Sequence, residues 1–518
     1  MNEINSPAEF DRTTLREAVR TPSADGGSGK PAGAESLNRV ARQTARRLAQ
    51  ESYSPSIITG LLRLAEFLLM ALVGAGIYAF YVGLSGPTSA YYAPAIVLGA
   101  ALSVLGLQIA DGYQVPALRA GIKFFPRVIV AVTAAFAVLT VSGFFLQYSV
   151  YFSRFWAGSW LVGGIAALFF WRLFVAFAIR RWARNGVMER RAVIVGGGTL
   201  AESLIRSIEH DPSNDIRICG IFDDRSSRRS PEVVAGYPKL GTVDELVAFA
   251  RLARMDMLII ALPLKAEARV LELLKTLWVL PLDIRLAAHA DKLRFRPRSY
   301  SYAGAAPLLD IFDRPITDWD SVAKRIFDVF FSLLAIALLW PVMLATAIAI
   351  KATSKGPVLF KQKRHGFNNE EVEVYKFRSM YTEQSDPTAL QQVTKDDPRV
   401  TPVGRFIRKT SIDELPQFFN VLLGSLSLVG PRPHAVAAGT HDRQFTEVVD
   451  GYFARHRVKP GVTGWAQING WRGEIDCDDK IRQRTAYDLY YIENWSLLFD
   501  LRILFLTPFR LFDTENAY

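Results

Sequence analysis

Four long apolar runs follow one another, at about 59–83, 90–110, 126–147 and 156–179. Each can cross roughly 30 Å of hydrocarbon, and four in succession are hard to bury in a soluble core. Half of the 518 residues are hydrophobic, as a membrane chain requires. The runs predict a bundle of four transmembrane helices over 59–180. Arg63 and Glu66 fall near the start of the first run, where the bilayer interface tolerates charge. Four arginines lie between Arg39 and Arg47, Arg180, Arg181 and Arg184 follow the fourth run, and Arg119 and Lys123 lie between the second and third. The two opposite loops carry only Arg154, so both ends of the bundle belong in the cytoplasm. The net charge of +11 then reflects cytoplasmic surfaces near anionic lipid, and no nucleic acid is expected as a partner. Residues 1–58 are expected to be a disordered cytoplasmic tail, and 1–50 hold no signal-peptide core. Cys219 and Cys477 are the two cysteines, too few for a disulfide framework or a cysteine zinc site.

Residues 190–300 change character. Arg191–Val195 is a short strand ending in Gly196-Gly197-Gly198, Ile216–Phe222 a second strand ending at Asp223-Asp224, Val243–Leu252 a helix, and Met257–Leu262 a buried strand. This alternation predicts a doubly wound, Rossmann-like α/β domain. The glycine turn and the following acids fit a dinucleotide site, but they also fit an accessory module that keeps the turn for packing, and the second reading is preferred. The domain raises a rival function, a membrane-bound nucleotide-sugar dehydratase or epimerase. Such enzymes resemble short-chain dehydrogenases with a Tyr-x-x-x-Lys pair, and the sequence contains no such pair.

Val322 to Ile350 is a fifth apolar segment, with Lys324, Arg325 and Asp328 at its start, Lys351 and Lys355 after it and Pro341 inside. A full crossing would carry 351–518 outside, yet basic residues flank both ends. The segment is therefore expected to be a re-entrant membrane helix over 322–350, broken at Pro341, with Ser332 among the groups that satisfy freed backbone.

Residues 351–475 concentrate the chemistry. They hold Tyr375-Lys376-Phe377-Arg378-Ser379-Met380, Arg408-Lys409-Thr410-Ser411-Ile412-Asp413-Glu414-Leu415-Pro416-Gln417, Gly430-Pro431-Arg432-Pro433 and Lys459-Pro460-Gly461-Val462-Thr463-Gly464-Trp465. One adjacent carboxylate pair, Asp413 and Glu414, sits among many cations. Arginine forks match phosphate oxygens, and an ionised carboxylate can hold Mg²⁺ or attack phosphorus. Ser411-x-x-Glu414 fits a capping box, which would put the pair in the first turn of a helix. A plainer reading makes Ser411 and Glu414 a helix cap and nothing more.

These motifs, with Lys324-Arg325-x-x-Asp328 before them, give residues 322–518 a close resemblance to the polyisoprenyl-phosphate hexose-1-phosphate transferases. The four spans and the α/β domain resemble the large members of that family, those similar to undecaprenyl-phosphate glucose phosphotransferase. The resemblance implies a mixed α/β catalytic domain over 351–518 at the bacterial inner membrane, a UDP-sugar donor and undecaprenyl phosphate as acceptor. It implies that Asp413 attacks the donor's β-phosphate, UMP leaves, and the acceptor takes the phosphosugar from Asp413, while Glu414 helps position Mg²⁺ or handles the acceptor's proton. Arg408 and Arg432 are expected to hold phosphates, Lys376 and Arg378 either phosphates or acidic neighbours, and Arg472 the nucleotide. Glucose is the expected hexose, with galactose next. A homodimer is left open.

Overall fold

The computed structural model describes residues 37–48, 55–83, 89–114, 117–118, 124–183, 190–210, 216–225, 231–263, 266–287, 300–303, 306–382, 397–434, 439–440, 443–449, 451–471, 473 and 477–511. Short α1 (Arg39–Leu48) precedes the apolar helices α2 (Pro55–Ile77, extended by a π turn to Val82), α3 (Ser89–Ile109), α4 (Phe125–Phe145) and α5 (Arg154–Ala183). These four match the four apolar runs, and among the described residues five helices are long and apolar enough to cross a membrane.

Small residues let the helices approach. Trp160 of α5 is wholly buried, and a Cβ added at Gly74 of α2 or Gly99 of α3 would lie 2.7 or 2.5 Å from its ring. Its Nε1 donates to Met70 O at 2.9 Å, and Trp156 Nε1 donates to Gly74 O at 3.0 Å. Glu66 is 1% exposed, packed inside the bundle. Arg172 meets it bidentately, Nε to Oε1 at 2.9 Å and the second nitrogen to Oε2 at 3.0 Å, and Tyr113 donates to Oε2 at 2.7 Å. A lone charge in apolar surroundings is costly, so this trio fixes how α2, α5 and the turn after α3 meet.

The expected tail is partly ordered. α1 buries Leu37, Ala41, Ala45 and Leu48 in the core of the α/β domain, and leaves Arg39, Arg42 and Arg46 exposed. That spacing is one helical face, so apolar side chains the size of alanine suffice to dock it. Asn38 caps it, accepting from Ala41 N at 2.7 Å and donating to Leu240 O at 2.6 Å.

The α/β domain is built on β1 (Arg190–Val195), β2 (Ile216–Phe222), β3 (Val233–Val234), β4 (Tyr237–Gly241), β5 (Met257–Ile260), β6 (Asp283–Ala287), β7 (Tyr300–Ala303) and β8 (Ala306–Phe312). The order is β3-β4-β2-β1-β5-β6-β8-β7, with β4, β2, β1, β5 and β6 mutually parallel and the edges antiparallel. Helix α6 (Thr199–His210) packs on one face, α7 (Val243–Leu252) and α8 (Glu267–Leu277) on the other. The predicted strands and α7 are where they were expected; β8 carries the sheet past residue 300.

Helix α9 (Asp318–Thr353) runs unbroken through Pro341, so the expected interruption does not divide it into two helices. Ser332 Oγ is buried and has no hydrogen-bond partner among the described residues, so it does not relieve the proline there. The hairpin of β9 (Leu359–His365) and β10 (Glu371–Phe377) follows, then α10 (Pro402–Lys409), α11 (Gln417–Leu423), parallel β11 (Ser427–Val429) and β12 (Gly461–Thr463), α12 (Asp478–Glu493) and α13 (Leu497–Leu511). Near its start α9 is tied by Lys324 Nζ to Asp328 at 3.1 Å and Asp500 of α13 at 2.7 Å. Near its end Met343 and Ile350 pack with Phe377 and Ile407. Both ends of α9 thus contact this one region. Trp278, at the end of α8, closes against Gly451, and Asn368 Nδ2 donates to Ala250 O at 3.2 Å, joining the region to the α/β domain.

Replacing Glu66 with leucine leaves Arg172 buried without its counter-charge. The single variant should lose about 3 kcal/mol or more, and Glu66→Leu/Arg172→Met should recover most of it. Thermal unfolding of the detergent-solubilised variants measures both.

Candidate active site

The glycine turn of the α/β domain is engaged within itself. Gly197 N donates to Asp223 Oδ2 at 2.7 Å, and Arg225 grips the same carboxylate through Nε at 3.0 Å. Asp224 accepts from Val243 N at 2.8 Å at the start of α7 and pairs with Arg269. The two acids therefore hold strand ends and helix starts together.

The carboxylate pair has a different setting. Asp413 and Glu414 lie on a 3-10 turn, Ile412–Glu414, between α10 and α11. The expected capping box does not form: Ser411 adopts a left-handed φ of 59°, makes no side-chain cap, and the Glu414 carboxylate turns elsewhere. Thr401 Oγ1 accepts from Gly404 N at 2.8 Å to start α10, and Gly404 lets α10 cross Ser379, whose carbonyl would sit 1.9 Å from an added Cβ. That crossing sets the turn beside β10. From β10, Lys376 Nζ reaches Glu414 Oε1 at 2.8 Å and Asp413 Oδ2 at 3.6 Å. From the far side Arg432 forks onto Glu414, with one bond at 3.1 Å to Oε2 and another to Oε1.

The motif glycines explain where Arg432 stands. Gly430 N donates to Thr463 O at 2.9 Å and Gly461 N to Pro431 O at 2.9 Å, so β11 and β12 cross closely. A Cβ at Gly461 would meet Gly430 N at 2.1 Å, and one at Gly464 would meet Gly430 O at 2.2 Å. No other residue fits there, and the crossing aims the chain after Gly430 at the carboxylates.

Charge separates the two acids. Burial opposes ionisation of Glu414, but Arg432 and Lys376 overcome it and hold the group well below the usual range. Burial, with the Glu414 charge added, raises Asp413 against the pull of Lys376, Arg408 and Arg432. One site therefore holds a firmly ionised carboxylate beside a more basic one, as acid–base pairs in active sites do.

Other candidates divide. Arg408 closes α10 within reach of the Asp413 charge. Arg378 does not join the site: it donates to Ser354 O at 2.9 Å, Ser354 Oγ at 2.8 Å, Lys355 O and Thr382 Oγ1, bracing the end of α9. Its partners are carbonyls and hydroxyls rather than the acidic neighbours considered from sequence. Arg472 lies outside the described residues. Sequence reasoning gave no role to Arg364, Arg455, Arg484 or Asp488. Arg364 donates to Pro433 O at 2.6 Å, and the Glu414, Asp413 and Arg432 charges act on it. Arg455 and Asp488 form a fully buried pair, and Arg455 donates to Arg432 O at 2.9 Å. The segment Tyr452–Arg457 around Arg455 gives no phosphate signature, and helix α12 reads as an ordinary charged helix.

Metal fit rests on few donors. Among the described residues no three His, Cys, Asp or Glu side chains gather. Asp413 and Glu414 offer two carboxylates, both of whose Glu414 oxygens already bond cations. Mg²⁺ needs few protein ligands when substrate phosphates and water complete its shell, so the pair fits the ion once a diphosphate is present.

Because Arg378 braces structure, Arg378→Met should lower stability by about 2–4 kcal/mol while leaving the KM for substrate unchanged in the folded fraction. Thermal unfolding beside steady-state kinetics tests the pairing of results.

A family model described as bacterial sugar transferase matches residues 319–514, and one described as a CoA-binding domain matches 108–288. A UDP-glucose:undecaprenyl-phosphate glucose-1-phosphate transferase of Xanthomonas campestris pv. campestris is 36% identical over 386 residues, 74% of this chain and 79% of the relative. One of the same description from Klebsiella pneumoniae is 39% identical over 336 residues, 65% of this chain and 70% of the relative. A UDP-N-acetylgalactosamine-undecaprenyl-phosphate N-acetylgalactosaminephosphotransferase of Aeromonas hydrophila is 47% identical over 185 residues, 36% of this chain and 42% of the relative. With its membrane helices, its α/β domain and a carboxylate pair set among cations, this chain belongs to the bacterial sugar transferase family and is a membrane-bound transferase.

Proposed function

We propose that the protein transfers glucose-1-phosphate from UDP-glucose to undecaprenyl phosphate, releasing UMP, as the first step of an exopolysaccharide or capsule. The observation that carries this reading is the Asp413–Glu414 pair between Lys376 and Arg432. A diphosphate needs cations on its oxygens and a nucleophile in line with phosphorus. Asp413, the more basic carboxylate, attacks the β-phosphate; the bond to the UMP oxygen breaks, and its electrons leave with UMP. The resulting phosphosugar on Asp413 is then attacked by the acceptor's phosphate oxygen, which restores the carboxylate. Glu414 anchors Lys376 and Arg432 at the reacting phosphate. Mg²⁺, held by the two carboxylates and the diphosphate, would neutralise charge there. The relatives of high coverage are named for UDP-glucose, which favours that donor over UDP-galactose; the N-acetylgalactosamine relative matches over a shorter stretch.

The same reading includes topology. Both ends of α9 contact one region, which favours a re-entrant α9 dipping into the inner membrane with the catalytic residues on the cytoplasmic side. Exposed Leu498, Leu501, Phe505 and Phe509 of α13, with Phe406 and Leu423, form apolar surface suited to the bilayer. The α/β domain is read as a Rossmann-like accessory module without bound nucleotide, since its own Arg225 and Gly197 take up Asp223.

Two experiments test these statements. Wild type given radiolabelled UDP-glucose and Mg²⁺ without acceptor should release UMP in a burst of about one per active enzyme and retain label, as covalent catalysis requires. Asp413→Asn should do neither; label on that variant, or release only after acceptor is added, would replace the covalent route with direct transfer. For topology, exposed Cys477 is a native probe. In a Cys219→Ser background an impermeant maleimide should react with it only after cells are permeabilised; reaction in intact cells would refute the re-entrant helix.

A further inference from the structure

Beneath the proposed site lies an imbalance of charge. Lys376 and Arg432 act on Asp413 and Glu414, Arg432 also faces Arg364 and Arg484, and Arg484 lies with Arg455 near Asp488. Glu414 is taken by Lys376 and Arg432, and Asp488 by Arg455. Arg484 stands one helical turn before Asp488 on α12, the usual place for an i,i+4 ion pair, but Arg455 has claimed that carboxylate. Arg484 is 4% exposed, and among the described residues its side chain makes no hydrogen bond or ion pair; its Nε is sealed from solvent without an acceptor there. Burial first, then the charges of Arg432 and Arg455, push its pKa down to about 9. A buried guanidinium with no partner costs stability, so folding alone gives no reason to keep it.

We infer that Arg484 is a phosphate-binding residue of the transferase site, acting with Arg432 and Arg364 on a phosphoryl group that supplies a hydrogen-bonded counter-charge. The inference rests on the proposed function and adds a residue that lies outside every motif read from the sequence. The group is a phosphate monoester or diphosphate oxygen. It comes either from the sugar nucleotide and its UMP product or from the polyprenyl phosphate acceptor. Binding brings two or more negative charges beside Arg484 and removes its repulsion with Arg432. Arg455 acts differently: it holds the Arg432 backbone through the carbonyl and is a positioning residue.

The test uses the full-length protein in detergent, in the Asp413→Asn background, so that failure of the covalent route does not affect it. Equilibrium binding of labelled UMP and of undecaprenyl phosphate is measured for Arg484, Arg484→Lys and Arg484→Met, together with melting temperature in the absence of ligand. Arg484→Met should bind one of the two phosphates about tenfold or more weakly, which is what loss of one charge-assisted contact implies, and Arg484→Lys should recover part of that affinity. Loss confined to UMP assigns Arg484 to the donor phosphate; loss confined to undecaprenyl phosphate assigns it to the acceptor. Without ligand, Arg484→Met should melt at or above the parent temperature, because an unpaired charge has been removed. Unchanged affinity for both phosphates would overturn the inference. So would a lower ligand-free melting temperature, because Arg484 would then be contributing to the fold.

Discussion

Glu414 is the point on which three separate elements converge. Lys376 comes from β10, Arg432 from the tight crossing of β11 and β12, and the glutamate from a 3-10 turn. Each cation-to-carboxylate contact is short and largely withdrawn from water, so each is strong where a surface pair would be weak. The same contacts keep Glu414 ionised and leave Asp413, one residue earlier, as the group whose proton is easier to retain. Two adjacent acids thus acquire different chemistry from position alone.

The surrounding structure serves this geometry. Gly404, Gly430, Gly461 and Gly464 permit backbone approaches that a Cβ would forbid, and those approaches aim Arg432 and set α10 beside β10. Arg378 fixes the end of α9 to the strand that carries Lys376, and Lys324 fixes its start to α13 through Asp500. The long apolar helix is therefore welded to the polar site at both ends. Contacts from Trp278 and Asn368 extend the connection to the α/β domain, so that domain is mechanically joined to the segment bearing Arg455.

Charge inside the bundle follows the same rule with a different outcome. Glu66 and Arg172 satisfy one another and Tyr113 completes the set, which makes the trio a device for registering helices. Around Arg484 the set is incomplete.

The sequence by itself determined the elements whose signal is local. Four apolar runs gave four helices, strand–helix alternation gave the parallel sheet, and the Asp413-Glu414 pair among conspicuous arginines marked the site. Hydrophobic length and period are properties of contiguous residues, so they survive without the fold. What failed depended on partners distant in the chain. Ser411-x-x-Glu414 reads as a capping box until Arg432 and Lys376 compete for the glutamate. Glu66 reads as a lone charge near a helix start until Arg172, 106 residues away, pairs with it. Residues 37–48 read as a tail because alanine-rich faces carry little signal until a sheet receives them. Arg378 and Arg484 are both arginines in charged surroundings. Only the tertiary structure decided that one grips Ser354, Lys355 and Thr382 and that the other has no side-chain hydrogen bond among the described residues, because satisfaction of a buried charge is a property of its neighbours in space.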